Sequence, residues 1–150
     1  PLAGLNYQRA MEQTAFGSGG GGVIAPAQRL DDFVDNRLSN GLPACSYPPG
    51  VVASPLHRWL PDPIRKRLQA AFKAFDRKMK GFLTNDAVVV GVESRTSSPV
   101  RIPRDPQTLQ HVSVRGLFPC GEGAGYAGGI VSCAVDGERA AEAVVQYVAR

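Results

Sequence analysis

Cysteine is scarce in this 150-residue chain. Cys45, Cys120 and Cys133 form no CxxC pair, and only His57 and His111 could join them as metal ligands. An odd number of widely spaced thiols argues against a disulfide framework and against a zinc site. The expectation is free buried thiols, no bound metal and a reducing compartment, the cytoplasm or an organelle such as a plastid. No apolar run approaches the roughly 18 residues of a membrane span. Pro1 to Gly22 lacks the basic head and apolar stretch of a secretory signal, so a soluble protein without membrane contact is expected. The chain opens on proline instead of methionine, as an internal cut in a longer protein would. No internal repeat is visible. The excess of positive charge is small, net +4, which is common among proteins that bind anionic cofactors and is weak evidence for nucleic-acid binding.

At 43% hydrophobic and 20% charged, the composition is that of one soluble globular domain. Leu5 to Phe16 is rich in helix formers. "GSGGGG", Gly17 to Gly22, stops it, either as a flexible linker or as a loop whose bare backbone approaches a ligand. "APAQRLDDFVDNRL" predicts a helix with Pro26 in its first turn and Leu30, Phe33, Val34 and Leu38 on one face. Ser39 to Pro55 holds four prolines and reads as a loop without a central strand.

"LPDPIRKRLQAAFKAFDRKMKG" predicts a helix with Asp62 as N-cap, Pro63 in the first position and Gly81 as the stop. Ile64, Leu68, Phe72, Phe75 and Met79 share its apolar face. Arg65, Lys66, Arg67, Lys73, Arg77, Lys78 and Lys80 lie opposite. Such a face is far more often solvated than bound to nucleic acid, and no exposed aromatic interleaves to stack a base. His57 and Trp59, in "LHRWLP", read as packing and capping residues. Ala87 to Val92 predicts a buried strand. Pro99 to Pro103 and Leu117 to Cys120 are shorter strand candidates. A final helix runs from Gly128, with Ile130, Val131, Ala134, Val135, Ala141, Val144, Val145 and Val148 on one side.

The most informative stretch is "GLFPCGEGAGYAGGI", Gly116 to Ile130. Gly123-x-Gly125-x-x-Gly128 matches the dinucleotide fingerprint, and the glycines open the last helix. The first amides of a helix lack partners and, with its dipole, favour a phosphate or another electron-rich group. Alone, GxGxxG is a weak signal. Here no strand and no ribose-binding acid follow, and Glu122 would repel a pyrophosphate. The turn therefore reads as a second contact on an already bound cofactor, with Glu122 accepting hydrogen bonds from sugar or ribityl hydroxyls.

"GLFPCGEGAGYAGGIVSCAVDG" resembles the closing motif of flavoprotein oxidoreductases of the glutathione-reductase-like superclass. There a Gly-Asp, here Gly121-Glu122, lies beside the flavin's ribityl chain and the next helix points at the isoalloxazine ring. "APAQRLDDF", "SYPPGV", "FDRKMKGF" and "GVESRTSSPVRIPRD" resemble the C-terminal half of a largely uncharacterised family of FAD-dependent dehydrogenases. The likeness runs from about Glu12 to the end. The N-terminal FAD-binding unit, with its own glycine loop and ribose-binding acid, has no counterpart in the sequence.

The resemblance implies an α/β fragment, mixed α+β when taken alone. Residues 1–91 would be part of an inserted cap or substrate domain, and 92–150 the returning segment of a Rossmann-like FAD/NAD(P)-binding domain. It implies FAD as cofactor, held at Gly121, Glu122, Gly123, Gly125, Tyr126, Gly128, Gly129 and Ile130. Tyr126 would stack on a ring or fill the turn. Cys120, beside the turn, has no near partner for redox chemistry. In "ESRTSSPVR", Glu93, Arg95, Thr96, Ser97, Ser98 and Arg101 become candidates for a substrate or the flavin's edge. Taken by themselves they read as a polar surface turn. Arg95 and Arg101 could hold a carboxylate or balance a reduced flavin, and no residue is an evident proton donor. The implied partners are FAD, an unidentified small-molecule substrate and the FAD-binding portion of the same protein. The rival readings are a non-catalytic interaction module derived from a flavoprotein and a basic nucleic-acid-binding domain.

Overall fold

The computed structural model describes residues 1–95 and 97–149. The protein is mixed α/β and divides into two compact units, Arg9–Val92 and Pro1–Gln8 with Glu93–Arg150.

In the first unit, α1 (Ala3–Ser18) enters with Met11 and Ala15 buried. The glycine run that stops it is a built turn. Gly19 N donates to Ala15 O, Gly20 N to Gly17 O and Gly21 N to Phe16 O, and Gly20, Gly21 and Gly22 all take left-handed backbone angles. These bonds satisfy the last carbonyls of the helix, as a C-cap must.

The chain then departs from its sequence pattern. Ala25–Arg29, expected to be helical, is strand β1, and only Leu30–Val34 forms a helix, α2. β1 is the centre of a three-stranded sheet, parallel to β2 (Val51–Ala53) and antiparallel to β3 (Val88–Val90). Pairing on both edges supplies hydrogen bonds that local helix propensity cannot outweigh. Pro26 sits in this central strand without a donor, but its carbonyl accepts from Gly91 N at 2.9 Å. β2 occupies the end of the expected loop as an edge strand. Leu38, expected on a helix face, is exposed.

The core gathers Met11, Leu30, Phe33, Val34, Leu56 and Leu60. Leu56 belongs to the short helix α3 (Leu56–Trp59). Gln28 and His57 are buried here too. His57 Nδ1 lies 2.7 Å from Gln28 Nε2 and 3.1 Å from its Oε1, and Gln28 Oε1 accepts from His57 N. Burial first, then Arg58 and Arg65, push the His57 imidazole below its usual 6.5. Trp59 Nε1 donates to Ser54 Oγ.

Helix α4 (Asp62–Lys78) is capped by Pro61, so Asp62 is the first helical residue, not the cap. From there it pairs with Arg65 and Lys66, which suits an acid in a first turn. Leu68 and Phe72 pack on the core, whereas Ile64, Phe75 and Met79 stay exposed.

The second unit contains α5 (Ile130–Val148) and long extended loops. Neither Pro99 to Pro103 nor Leu117 to Cys120 forms a strand. Among the described residues of this stretch the only ladder contact is an isolated bridge, Arg104 to His111. Pro99, Pro103 and Pro119 remove the donors a ladder would need. Asp105 ties its own loop by accepting from the amides of Gln107 and Thr108 and from the Thr108 hydroxyl.

Candidate functional site

The glycine turn is closed by two backbone bonds, Gly125 N to Glu122 O at 2.9 Å and Tyr126 N to Gly121 O at 3.0 Å. Gly125 has φ +81°, and a Cβ there would meet Val100 O at 2.6 Å. Glycine is therefore required at Gly125 by the protein's own backbone. At Gly123 a Cβ would meet nothing within 4 Å, and at Gly129 only Ser132 Oγ at 3.4 Å. Gly123 thus faces open space, and Gly129 has room for a Cβ in ordinary contact with Ser132.

Ser98 to Arg104 runs along the turn and fastens it. Ile102 N donates to Ala124 O at 3.1 Å, Arg101 Nε to Gly125 O at 3.0 Å and Tyr126 Oη to Ile102 O at 2.9 Å. Ser98 Oγ reaches Val100 O at 2.8 Å and Gly123 O at 3.4 Å. Of the predicted polar group, Ser98 and Arg101 thus lie at the turn. Glu93, Arg95 and Ser97 are exposed, and Thr96 lies outside the described residues.

Sequence reading missed the residue that organises this region. The Arg104 side chain is 9% exposed and meets Asp136 of α5 through both terminal nitrogens, Nη1 to Oδ2 at 3.0 Å and Nη2 to Oδ1 at 2.6 Å. Nη1 also donates to Pro119 O at 2.7 Å. The Tyr126 ring covers the guanidinium at 3.7 Å, with Arg101 4.6 Å from the same ring. Asp136 Oδ2 accepts from Gly121 N at 2.8 Å. One ion pair therefore joins the incoming loop, the glycine turn and the last helix. The hydrogen bonds from Arg104, and then the Gly121 amide, hold the Asp136 carboxyl below its usual range, and Asp136 raises Arg104 in return. Asp136 carried a faint signal, since an acid inside an otherwise aliphatic helix stretch calls for a partner. Nothing in the sequence near Arg104 identified it as that partner.

The entry to α5 is open. Gly129 is its N-cap, with its own amide given to Ser132 Oγ. The amides of Ile130 and Val131 find no acceptor among the described residues. Glu122, eight residues earlier in the chain than Ile130, is half-buried in the turn. This donor set, with bare backbone at Gly123 and Gly129, fits an electron-rich group that approaches closely and carries hydroxyls for the carboxylate.

The remaining candidates fall away from this place or carry less. None of the three cysteines is fully buried, contrary to expectation: Cys120 is exposed, and Cys45 and Cys133 are half-buried free thiols. Among the described residues no group of three or more His, Cys, Asp or Glu could hold a metal ion. No helix of the described residues is long and apolar enough to cross a membrane. On α4, Lys66, Arg67, Lys73, Arg77 and Lys78 are exposed.

The described residues thus form a mixed α/β chain with a fastened glycine turn at the mouth of a long helix. The family model for the FAD-dependent protein, C-terminal domain-like, matches residues 1–96, and the chain belongs to that family. An "Uncharacterized protein" of Clostridium beijerinckii is 43% identical over 148 residues. The match covers 97% of this chain and 28% of that protein, so the chain spans little more than a quarter of the relative's length.

Proposed function

We propose that the chain is the C-terminal portion of a FAD-dependent oxidoreductase of dehydrogenase type. In this reading, residues 1–91 belong to an inserted cap or substrate domain and 92–150 to the returning segment of the FAD domain. The observation that carries it is the open mouth of α5, where the first two amides have no acceptor among the described residues and the N-cap is glycine, in a chain of a FAD-dependent family.

FAD, when bound, supplies the electron-transfer chemistry. The chain's own residues hold and polarise. The backbone of Gly121, Gly123, Gly125, Gly128, Gly129 and Ile130 would lie against the cofactor. Glu122 would accept hydrogen bonds from its hydroxyls. The helix dipole at Ile130 favours negative charge on the facing group. Tyr126 serves by holding the turn, since its ring is already stacked on Arg104 and its hydroxyl is bonded to Ile102 O. Arg101 spends one nitrogen on Gly125 O and keeps its positive charge near the turn, where it could balance a reduced cofactor or a substrate carboxylate. Glu93, Arg95, Ser97 and Ser98 are the substrate-side candidates, with Thr96 beside them in sequence.

Glu122→Gln in the full-length polypeptide tests the reading. A hydrogen bond to a charged group contributes roughly 1.5–3 kcal/mol, so FAD affinity should fall about ten- to a hundredfold. Asp86→Asn, on an exposed loop, is the control and should retain FAD. Equal retention of FAD by the Glu122 variant and the control would remove Glu122 from the site.

A further inference from the structure

Helix α5 leaves an aliphatic stripe bare along one side, with Ile130, Val131, Val145 and Val148 exposed and Ala134 and Ala141 between them. On its packed side, a cavity of about 880 Å³ lies between the loop 107–118 and the last turns of the helix, within the second unit. That size falls in the range of small-molecule pockets. The cavity is separate from the glycine turn. None of residues 121–130 lines it, and Tyr147 on its wall sits about 25 Å along the helix from Ile130. Two tied loops frame it. Asp105 N donates to Gln110 O at 2.8 Å, and Leu109 N to Asp105 O at 2.9 Å. His111 N donates to Leu117 O at 2.7 Å, and His111 Nδ1 accepts from the amides of Ser113 and Val114 at 3.1 and 3.0 Å. Between the two, Leu109 is held in the left-handed region at φ 55°, a conformation that bulky side chains rarely take. A frame so fixed presents its side chains with little further ordering cost.

The lining defines the guest. Gln110 Nε2 is buried and has no hydrogen-bond partner among the described residues. A buried donor left unpaired is costly, and a guest that brings an acceptor removes the cost. Arg115 lines the same cavity, exposed and with no ion pair among the described residues. No Asp or Glu among the described residues lines it, so this charge has no counterpart there. The C-terminus of α5 beside it carries only about half a negative charge, which the full charge of one guanidinium outweighs. Phe118 and Tyr147, edge-on with ring centroids 5.7 Å apart, form an aromatic wall. We infer that this cavity is a binding site for a small aryl carboxylate. Its ring lies against Phe118 and Tyr147, and its carboxylate accepts from Arg115 and from Gln110 Nε2. An apolar protein segment fits poorly, because it would seal the Gln110 amide and the Arg115 charge without giving either an acceptor.

Benzoate is the probe, titrated calorimetrically into the full-length polypeptide, with benzamide and inorganic phosphate as comparators. Benzoate should bind one-to-one with a Kd below about 1 mM. Benzamide and phosphate should bind at least about tenfold more weakly, since one lacks the charge and the other the ring. Arg115→Gln should weaken benzoate about tenfold or more and abolish its preference over benzamide. Gln110→Leu should weaken benzoate by a similar factor while leaving the melting temperature unchanged or higher, because it deletes an unpaired buried donor. A melting temperature that falls in Gln110→Leu would show that the amide serves the fold, and overturns its role in binding. Absence of saturable benzoate binding by the unsubstituted protein overturns the site, and is the result expected if the rest of the polypeptide fills the cavity. So does binding that both variants leave intact, which lies elsewhere. Phosphate binding as tight as that of benzoate overturns the aryl assignment and leaves a simple anion site.

Discussion

Arg104 is the residue on which the second unit depends most. Its side chain is nearly withdrawn from water, and its partners are Asp136, the Pro119 carbonyl and the Tyr126 ring. Removing one side of such a pair leaves the other charge without compensation, at a cost of about 3–5 kcal/mol. Arg104→Ala and Asp136→Asn should each lower the chain's stability by an amount near the lower end of that range, measured by urea unfolding. The double variant should cost clearly less than the sum. Arg104→Lys should recover only part, because lysine keeps the charge but loses the two-pronged geometry and the stacking on Tyr126. His57 gives a second residue-level test. Its folded pKa lies below 6.5, so below that pH the unfolded chain takes up a proton that the folded chain refuses. Stability from this group is fully present above about 6.5 and is lost as pH falls towards the folded value. His57→Gln should flatten the melting temperature between pH 7.5 and 5.5, and a wild-type slope that survives the substitution would refute the account.

At the level of elements, the two halves of the glycine turn should respond in opposite ways. Gly125→Ala forces a side chain into a left-handed conformation and against Val100 O, which should cost about 2 kcal/mol or more. Gly123→Ala meets nothing and should change the stability of the chain by no more than about 0.5 kcal/mol. On the proposed function it should still weaken FAD binding in the full-length polypeptide. The contrast separates glycine needed by the fold from glycine needed by a ligand. It also indicates what the sequence could and could not disclose. α1, α4 and α5 were legible because each carries a helical period or a clear stop. Ala25–Arg29 was not, because its strand exists through pairing with Val51–Ala53 and Val88–Val90, partners more than twenty residues away. The glycine turn was legible as a motif. Its fastening by Ser98, Arg101 and Arg104 was not, because those contacts are made by extended backbone that has no periodicity to read. The exposed side of α5 was legible as apolar, but pattern alone could not say that this chain leaves it uncovered.

For the whole molecule, the prediction is that the chain by itself holds FAD poorly. It offers a helix mouth and Glu122, whereas its other glycine run, Gly17 to Gly22, has the GxGxxG spacing but follows helix α1 and leads into strand β1, the reverse of the strand–turn–helix order of a dinucleotide loop. A fluorescence titration should give no saturable binding below micromolar FAD, and tight one-to-one binding would show that the site is complete within these residues. The bare stripe of α5 also bears on the protein's life in the cell. A folded segment that displays a row of valines and alanines looks to the quality-control machinery like an unfinished protein, and exposed apolar surface is what chaperones and proteases act upon. Produced alone, the chain should be chaperone-bound and short-lived, and Val145→Glu should lengthen its half-life in a pulse-chase measurement although the substitution improves nothing in the fold. If the rest of a longer protein covers it, the same stripe disappears from view, and α5 would report to the cell whether that protein has been assembled.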